Sequence, residues 1–267
     1  MSNFLSKEEQ KISNEFKKKG YVIRKIKDVN SLSKIRKLFI KSIKKNVSGA
    51  QKYKNDNDIL NYIHKSIEIK KLNSFRLKII NDINKSKNIR ELYYKISRPI
   101  LDKILGNELS MQIRINLSIQ LPKDDSSLLP IHSDVWSGDS PFESVVWLPL
   151  VNCYRTKSMY ILPPSKYEKI KNIFLKKKPS SSEQIFKKIK KDLTWIKIKY
   201  GEVLIFNQCL PHGNTVNLEN ESRWSLNCRF KSIFSPYRDK KIGEFFEPIT
   251  LRAISGLAIN YDLPKIS

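Results

Sequence analysis

Eleven residues, Met111-Gln-Ile-Arg-Ile-Asn-Leu-Ser-Ile-Gln-Leu121, alternate apolar and polar without a fault. A β-strand sends successive side chains to opposite faces. Met111, Ile113, Ile115, Leu117, Ile119 and Leu121 therefore share one face, and Gln112, Arg114, Asn116, Ser118 and Gln120 share the other. A helix cannot segregate such a pattern. The run predicts a half-buried strand with its apolar face on a core and its polar face lining a cavity. The reverse arrangement would leave polar groups unpaired in the core or wet a whole apolar face.

The same period recurs downstream. Strand character marks Glu143 to Leu150, Met159 to Leu162, Trp195 to Ile198, Gly201 to Phe206 and Arg223 to Phe230, with Pro-, Ser- and Asn-rich joints between them. Many short strands with few helices suggest a sandwich or jelly roll. Upstream of residue 110 the period is helical. A capping-box pattern at Ser6 predicts a helix to Lys19 that Gly20 stops, and Tyr21 to Ile26 reads as a strand. A second helix is expected from Asn30/Ser31 to about Lys45, and amphipathic helices over Asn57–Leu72 and Ile89–Leu105. The Lys-rich stretch from Ile170 to Lys191 reads as a peripheral helical insert, and the last thirty residues give no clear pattern.

Size and composition set the outer limits. At 267 residues with 40% hydrophobic residues the chain can bury one large core. A single domain is expected, with residues 1–109 a helical scaffold, 110–235 the strand-rich core and 236–267 a C-terminal segment. The longest apolar runs, such as Val145 to Val151, fall far short of the ~20 residues that cross a bilayer, so neither a signal peptide nor a membrane partner is expected. Three cysteines without a C-x-x-C pair argue against a disulfide framework and for a reducing cytoplasm. The formal net charge is +25, yet only eleven of the 51 basic residues are Arg. Nucleic-acid readers concentrate Arg on one face among stacking aromatics, so a nucleic-acid partner is disfavoured against an anionic small molecule or a solvated Lys surface.

With only three histidines, each one is informative. In His132-Ser-Asp134 an extended backbone turns the imidazole and the carboxylate to the same side. His212 follows the Gly201–Phe206 strand, at a separation that adjacent strands can close. Two histidines and one carboxylate are the facial set of non-haem Fe(II) sites, which leaves three coordination positions open. From H-x-D alone, two unrelated histidines, one satisfied by a hydrogen bond in a loop, are the commoner arrangement, since the tripeptide is frequent. Arg223-Trp-Ser225 opens a strand whose Arg223, Ser225, Asn227 and Arg229 share a face. An Arg fork with a hydroxyl beside it suits the far carboxylate of a dicarboxylate such as 2-oxoglutarate; a rim ion pair with Glu219 or Glu221 is the competing reading. His64 reads as a helix-face residue and Cys209 as a packed thiol. Trp136, Asp139 and Glu143 either contact substrate or cap a polar loop, and Arg229 either meets an anionic substrate group or pairs with Glu202.

The chain resembles the phytanoyl-CoA dioxygenase-like 2-oxoglutarate/Fe(II) oxygenases. The resemblance runs from Phe16-Lys-Lys-Lys-Gly-Tyr-Val-Ile23 through His132-Ser-Asp134, Trp147-Leu-Pro-Leu150, Ile161-Leu-Pro-Pro-Ser165 and Gly201-Glu-Val-Leu-Ile-Phe206 to His212-Gly213 and Arg223. More narrowly, residues 132–143 and 156–162 are similar to oxygenases of bacterial surface-carbohydrate gene clusters. The resemblance implies an α+β fold with a double-stranded β-helix (jelly-roll, cupin-like) core. It also implies iron ligands His132, Asp134 and His212, and a 2-oxoglutarate pocket of Arg223, Ser225, Trp147 and Asn116. The implied activity is Fe(II)-, 2-oxoglutarate- and O2-dependent hydroxylation of a small molecule, anionic or sugar-linked, since a retained Asp134 matches the hydroxylating rather than the halogenating branch. The sequence departs from the family at Pro163-Pro-Ser165-Lys166, where Gly-Ser-His is usual, and residues 57–105 match nothing in it. Two other classes stay open: a zinc hydrolase on the same three ligands, which has no use for Arg223-x-Ser225, and a basic nucleic-acid-binding protein.

Overall fold

The computed structural model describes residues 4–176 and 181–264. In chain order the elements are α1 (Lys7–Lys19), β1 (Tyr21–Lys25), α2 (Val29–Asn46), α3 (Asp56–Tyr62), α4 (Leu72–Asn84), α5 (Ile89–Ile104), β2 (Leu109–Gln112) and β3 (Asn116–Gln120). There follow β4 (Glu143–Pro149), β5 (Tyr160–Ile161), α6 (Pro164–Lys176), α7 (Ser182–Ile189), β6 (Thr194–Trp195), β7 (Glu202–Asn207), β8 (His212–Gly213), β9 (Arg223–Ser232), β10 (Phe246–Pro248) and α8 (Ala253–Ile259). Strands β1-β7-β4-β9-β2-β10 form the large sheet, with β3 also paired to β9, and β6-β5-β8 form a small one. All named pairings are antiparallel. The result is the expected mixture of a helical N-terminal part and antiparallel sheet.

Local signals set the first elements. The Ser6 hydroxyl accepts from the Glu9 N–H while Glu9 returns a bond to the Ser6 N–H, and Gly20 closes α1 in the left-handed region at φ +79°. A side chain at Gly20 would run into Leu210. The cap of α2 is Asp28 rather than the expected Asn30/Ser31, because its carboxylate reaches the Ser31 N–H and hydroxyl.

Two expectations fail for a nonlocal reason. The periodicity over 57–72 is not one helix: α3 stops at Tyr62, two 3-10 turns follow, and a new helix, α4, begins at Leu72. No glycine or proline breaks it. Instead, Tyr53 donates its hydroxyl to the Tyr62 carbonyl, and the Leu60 and Asn61 carbonyls, otherwise unpaired at the helix end, accept from Trp224 Nε1 and the Ser222 N–H. The 111–121 run is likewise two strands, β2 and β3, joined through a bend at residues 113–115. Between the pairs Met111–Phe230 and Asn116–Asn227 this side advances five residues while β9 advances three. An even excess preserves parity. Both halves thus present the same face, and only Arg114, at the apex of the bend, is turned into solvent. The Ile170–Lys191 insert holds α6 and α7, with residues 177–180 outside the described residues.

The large sheet has one dry and one polar side. On the dry side, Trp224, fully buried, meets Phe39 of α2 and Phe75 of α4 edge-on at 6.4 and 5.9 Å. Tyr93 of α5 donates to the Val146 and Leu226 carbonyls there. On the other side, β3 and β9 pair Asn116 with Asn227, Ser118 with Ser225 and Gln120 with Arg223. Trp224→Ala should lower unfolding free energy by about 3–5 kcal/mol through the cavity left between three helices and the sheet. Denaturant titration reads this as a lowered midpoint at unchanged slope, and a midpoint within error of wild type would refute the packing described.

Candidate metal centre

His212 lies on β8, paired across to Ile161 of β5, and a two-residue bridge joins its backbone to that of His132. The two peptides exchange bonds of 2.8 and 2.9 Å, which brings residues eighty apart into one small sheet. Gly213 allows this approach, since a Cβ there would stand 2.7 Å from the Leu129 carbonyl and 2.8 Å from the Tyr160 hydroxyl. Asp134 starts a short 3-10 turn, anchored by its own N–H to the Gln208 carbonyl and by the Ser133 hydroxyl to the Gln208 and Cys209 carbonyls.

The two imidazoles are oriented by the same device. His132 Nδ1 lies 2.8 Å from the Pro130 carbonyl and His212 Nδ1 lies 2.8 Å from the Leu210 carbonyl. A carbonyl can only accept, so each Nδ1 carries a proton, and in the neutral imidazole Nε2 is left to present its lone pair. Asp134 Oδ1 is 3.4 Å from His132 Nε2 and 3.8 Å from His212 Nε2. One donor atom from each of the three side chains lies within 4.8 Å of the others, and two imidazoles plus one carboxylate suit a mid-row divalent ion. The donor set therefore fits a metal.

Charge follows burial and neighbours. Burial pulls His212 down to about 4, so it is neutral at physiological pH. Burial also opposes the charge of His132, but the hydrogen bonds to Asp134 and the Pro130 carbonyl together with the Asp134 charge outweigh it and raise its pKa above that of a free imidazole. Asp134 is buried too, yet His132, His212 and Arg229 hold it well below the usual carboxylate range.

Across a cavity of about 220 Å3 stands Arg223. Its guanidinium is 2% exposed and donates to the Ser158 carbonyl at 3.1 Å and the Ser118 hydroxyl at 2.8 Å. No carboxylate pairs with it among the described residues. Glu221 is taken by Lys157 and Glu219 by Thr156, so the rim ion pair is not formed. Arg223 Nε and the Ser225 Oγ beside it are buried without a hydrogen-bond partner. An unpaired buried cation is costly; here burial pulls its pKa down to about 10. Asn116 and Trp147 also line the cavity, with Asn116 donating to Asn227.

Other residues sort themselves by contact. His64 is far from the cluster in role, its Nδ1 meeting the Ser222 hydroxyl at 2.9 Å. Cys209 is a half-buried thiol pushed up to about 11 by burial. Asp139 and Glu143 are buried, Asp139 against Arg229 and Lys240, Glu143 accepting from Gln208 and the Ser140 N–H; they support the loop, while Trp136 is 43% exposed. Arg229 pairs with Asp134 and Asp139, not with Glu202. Gln208, which organises this loop, was missed in the sequence: a lone glutamine after a strand carries no local signal of its partners.

No protein-family model and no curated protein matches the sequence. Solved structures do. The non-haem monooxygenase ThoJ, solved as a nickel complex, superimposes with a TM-score of 0.54 over 93% of each chain at 14% identity. This chain shares the fold of that monooxygenase. The α-ketoglutarate-dependent epimerase SnoN from nogalamycin biosynthesis gives 0.52 over 97% of this chain and 91% of its own at 13% identity. EctD from S. alaskensis with bound Fe gives 0.54 over 89% and 81% at 13% identity. The likeness in fold thus extends over the helical scaffold as well as the sheets.

Metal binding should titrate with His132. Because its pKa is raised, an incoming ion must displace a proton from it, so affinity should fall as pH drops through the His132 transition, which lies above that of a free imidazole. Competition of Ni(II) against a chromogenic chelator measures this. His132→Ala and His212→Ala should each lose stoichiometric metal, and His64→Ala should retain it; undiminished binding in either of the first two would remove those residues from the site.

Proposed function

We propose that the protein is an Fe(II)- and 2-oxoglutarate-dependent oxygenase acting on a small molecule. The observation that carries this reading is the pairing, across one cavity, of a two-histidine, one-aspartate cluster with a buried guanidinium that lacks a carboxylate and sits beside an unpartnered serine hydroxyl. A dicarboxylate would satisfy both ends at once. Arg223 and Ser225 would receive its distal carboxylate, Trp147 and Asn116 would wall the pocket, and His132, Asp134 and His212 would hold the ion. The fold likeness supports it: EctD was solved with 2-oxoglutarate and 5-hydroxyectoine.

Bound iron, with 2-oxoglutarate and dioxygen, supplies the oxidising chemistry. The chain's own part is positional. The Pro130 and Leu210 carbonyls aim both Nε2 atoms, and Asp134 stays ionised throughout the working pH range. Phe206 closes edge-on against His212 at 4.9 Å and, with Val145 and Met159, gives the cavity an apolar wall that limits water. A zinc hydrolase would share the ligands but leave Arg223 and Ser225 without purpose.

Finer points rest on the sequence resemblance: a double-stranded β-helix core in a single oxygenase domain spanning the chain, membership among the phytanoyl-CoA dioxygenase-like enzymes, and a carbohydrate or carbohydrate-linked substrate. Three free cysteines agree with a reducing cytoplasm, and no helix among the described residues is long and apolar enough to cross a membrane.

Substrate-independent conversion of 2-oxoglutarate to succinate is the direct assay, with Fe(II) omitted as the blank. Arg223→Ala should weaken 2-oxoglutarate by roughly 30-fold or more, since losing one partner of a buried charge pair costs about 2–5 kcal/mol. Arg223→Lys should recover only part, keeping the charge without the planar fork. Metal affinity measured without co-substrate should stay put. Unchanged 2-oxoglutarate affinity in Arg223→Ala would move the co-substrate site elsewhere.

A further inference from the structure

The two oxygens of Asp134 have different surroundings. Oδ1 faces both imidazole Nε2 atoms, at 3.4 and 3.8 Å. Oδ2 faces away and receives Arg229 Nη2 at 2.9 Å. Arg229 is itself fixed. Its Nε donates to Gln208 Oε1 at 3.1 Å, its Nη2 lies 3.5 Å from Asp139 Oδ2, and its Cζ stands over the Phe245 ring at 5.9 Å. Gln208 is fully buried and held in turn by the Ser140 carbonyl and Glu143, while its own backbone carbonyl accepts the Asp134 N–H. The arginine and the carboxylate therefore share one support.

We infer that Arg229 is a positioning residue that keeps Asp134 a one-oxygen donor, and so preserves an open coordination position on the ion. The inference rests on the Fe(II) reading above. A carboxylate next to a divalent ion readily turns to offer both oxygens. An octahedral ion has six positions: two imidazoles and one carboxylate oxygen leave three, which 2-oxoglutarate and dioxygen require, whereas a chelating Asp134 leaves two. A charge-assisted bond to Oδ2 opposes that rotation. Two nitrogens of Arg229 are already engaged by protein groups, which favours this role over anchoring an anionic substrate.

Mn(II) loaded into the protein provides a readout independent of turnover, because water-proton relaxivity reports how many exchangeable waters remain on the ion. About three are expected in wild type and about two in Arg229→Met, so the inner-sphere relaxivity should fall by about one third. Arg229→Lys, which can still donate one bond to Oδ2, should restore most of it. Lys240→Met removes a cation from Asp139 without touching Asp134 and should match wild type. Arg229→Gln, closer to wild type in polarity, serves if the Met variant does not fold, with thermal melting as the check on both. A wild-type protein that takes up no Mn(II), Co(II) or Ni(II) would overturn the metal reading and this inference with it. Metal uptake in wild type with unchanged relaxivity in the folded Arg229 variants would overturn only the role of Arg229.

Discussion

The central strand β9 must serve two solvents at once. Its even-numbered residues Trp224, Leu226, Cys228 and Phe230 are buried against helices α2, α4 and α5, and its odd-numbered residues Arg223, Ser225, Asn227 and Arg229 share the opposite face, where Arg223, Asn227 and Arg229 line the cavity. The period of two in a pleated strand makes this separation compulsory. It also distributes the polar groups along the cavity floor, with Arg223 at one end and Arg229 beside Asp134 at the other. The spacing between Arg223 and the Arg229–Asp134 pair is thus set by strand geometry rather than by flexible loops. The scaffold of helices is the counterpart of this arrangement: it covers the dry face, and the carbonyls at the end of α3 accept from the Ser222 peptide and the Trp224 indole on either side of Arg223.

The small sheet supplies the opposite wall by a different principle. Its strands are two residues long, too short to gain much from side-chain packing, and its precision comes from hydrogen bonds to backbone carbonyls. Those carbonyls select the imidazole tautomers, anchor the Asp134 turn and join the two histidine segments. Electrostatics then separate the three side chains of the cluster: a neutral His212, a His132 that shares charge with Asp134, and a carboxylate held ionised by cations around it. The net charge of +25 has little part in this. The cationic groups that matter are few and buried, among them Arg223, Arg229 and the fully enclosed Lys157 on Glu221.

Much of this was legible in the residues. Alternation in 111–121 and 223–230 marked both strands and the polarity of their faces, since in a strand that polarity is fixed by backbone geometry whatever lies beyond it. The scarcity of histidine singled out His132 and His212, and the fold brings them within 4.8 Å of each other and of Asp134. The helix starting at Ser6 was readable because its cap is a contact three residues long. What tertiary structure alone decided were choices between local preference and a distant partner. The periodicity of 57–72 yields at Tyr62 because Tyr53, Ser222 and Trp224 compete for its carbonyls. The long strand bends at 113–115 because its partner strand runs shorter by two residues. Arg229 turns to Asp134 and Asp139 rather than Glu202 because the loop after His132 folds beneath it. Faces and caps depend on neighbours a few bonds away; which groups meet across the fold depends on loop closures and pairings that no local pattern encodes.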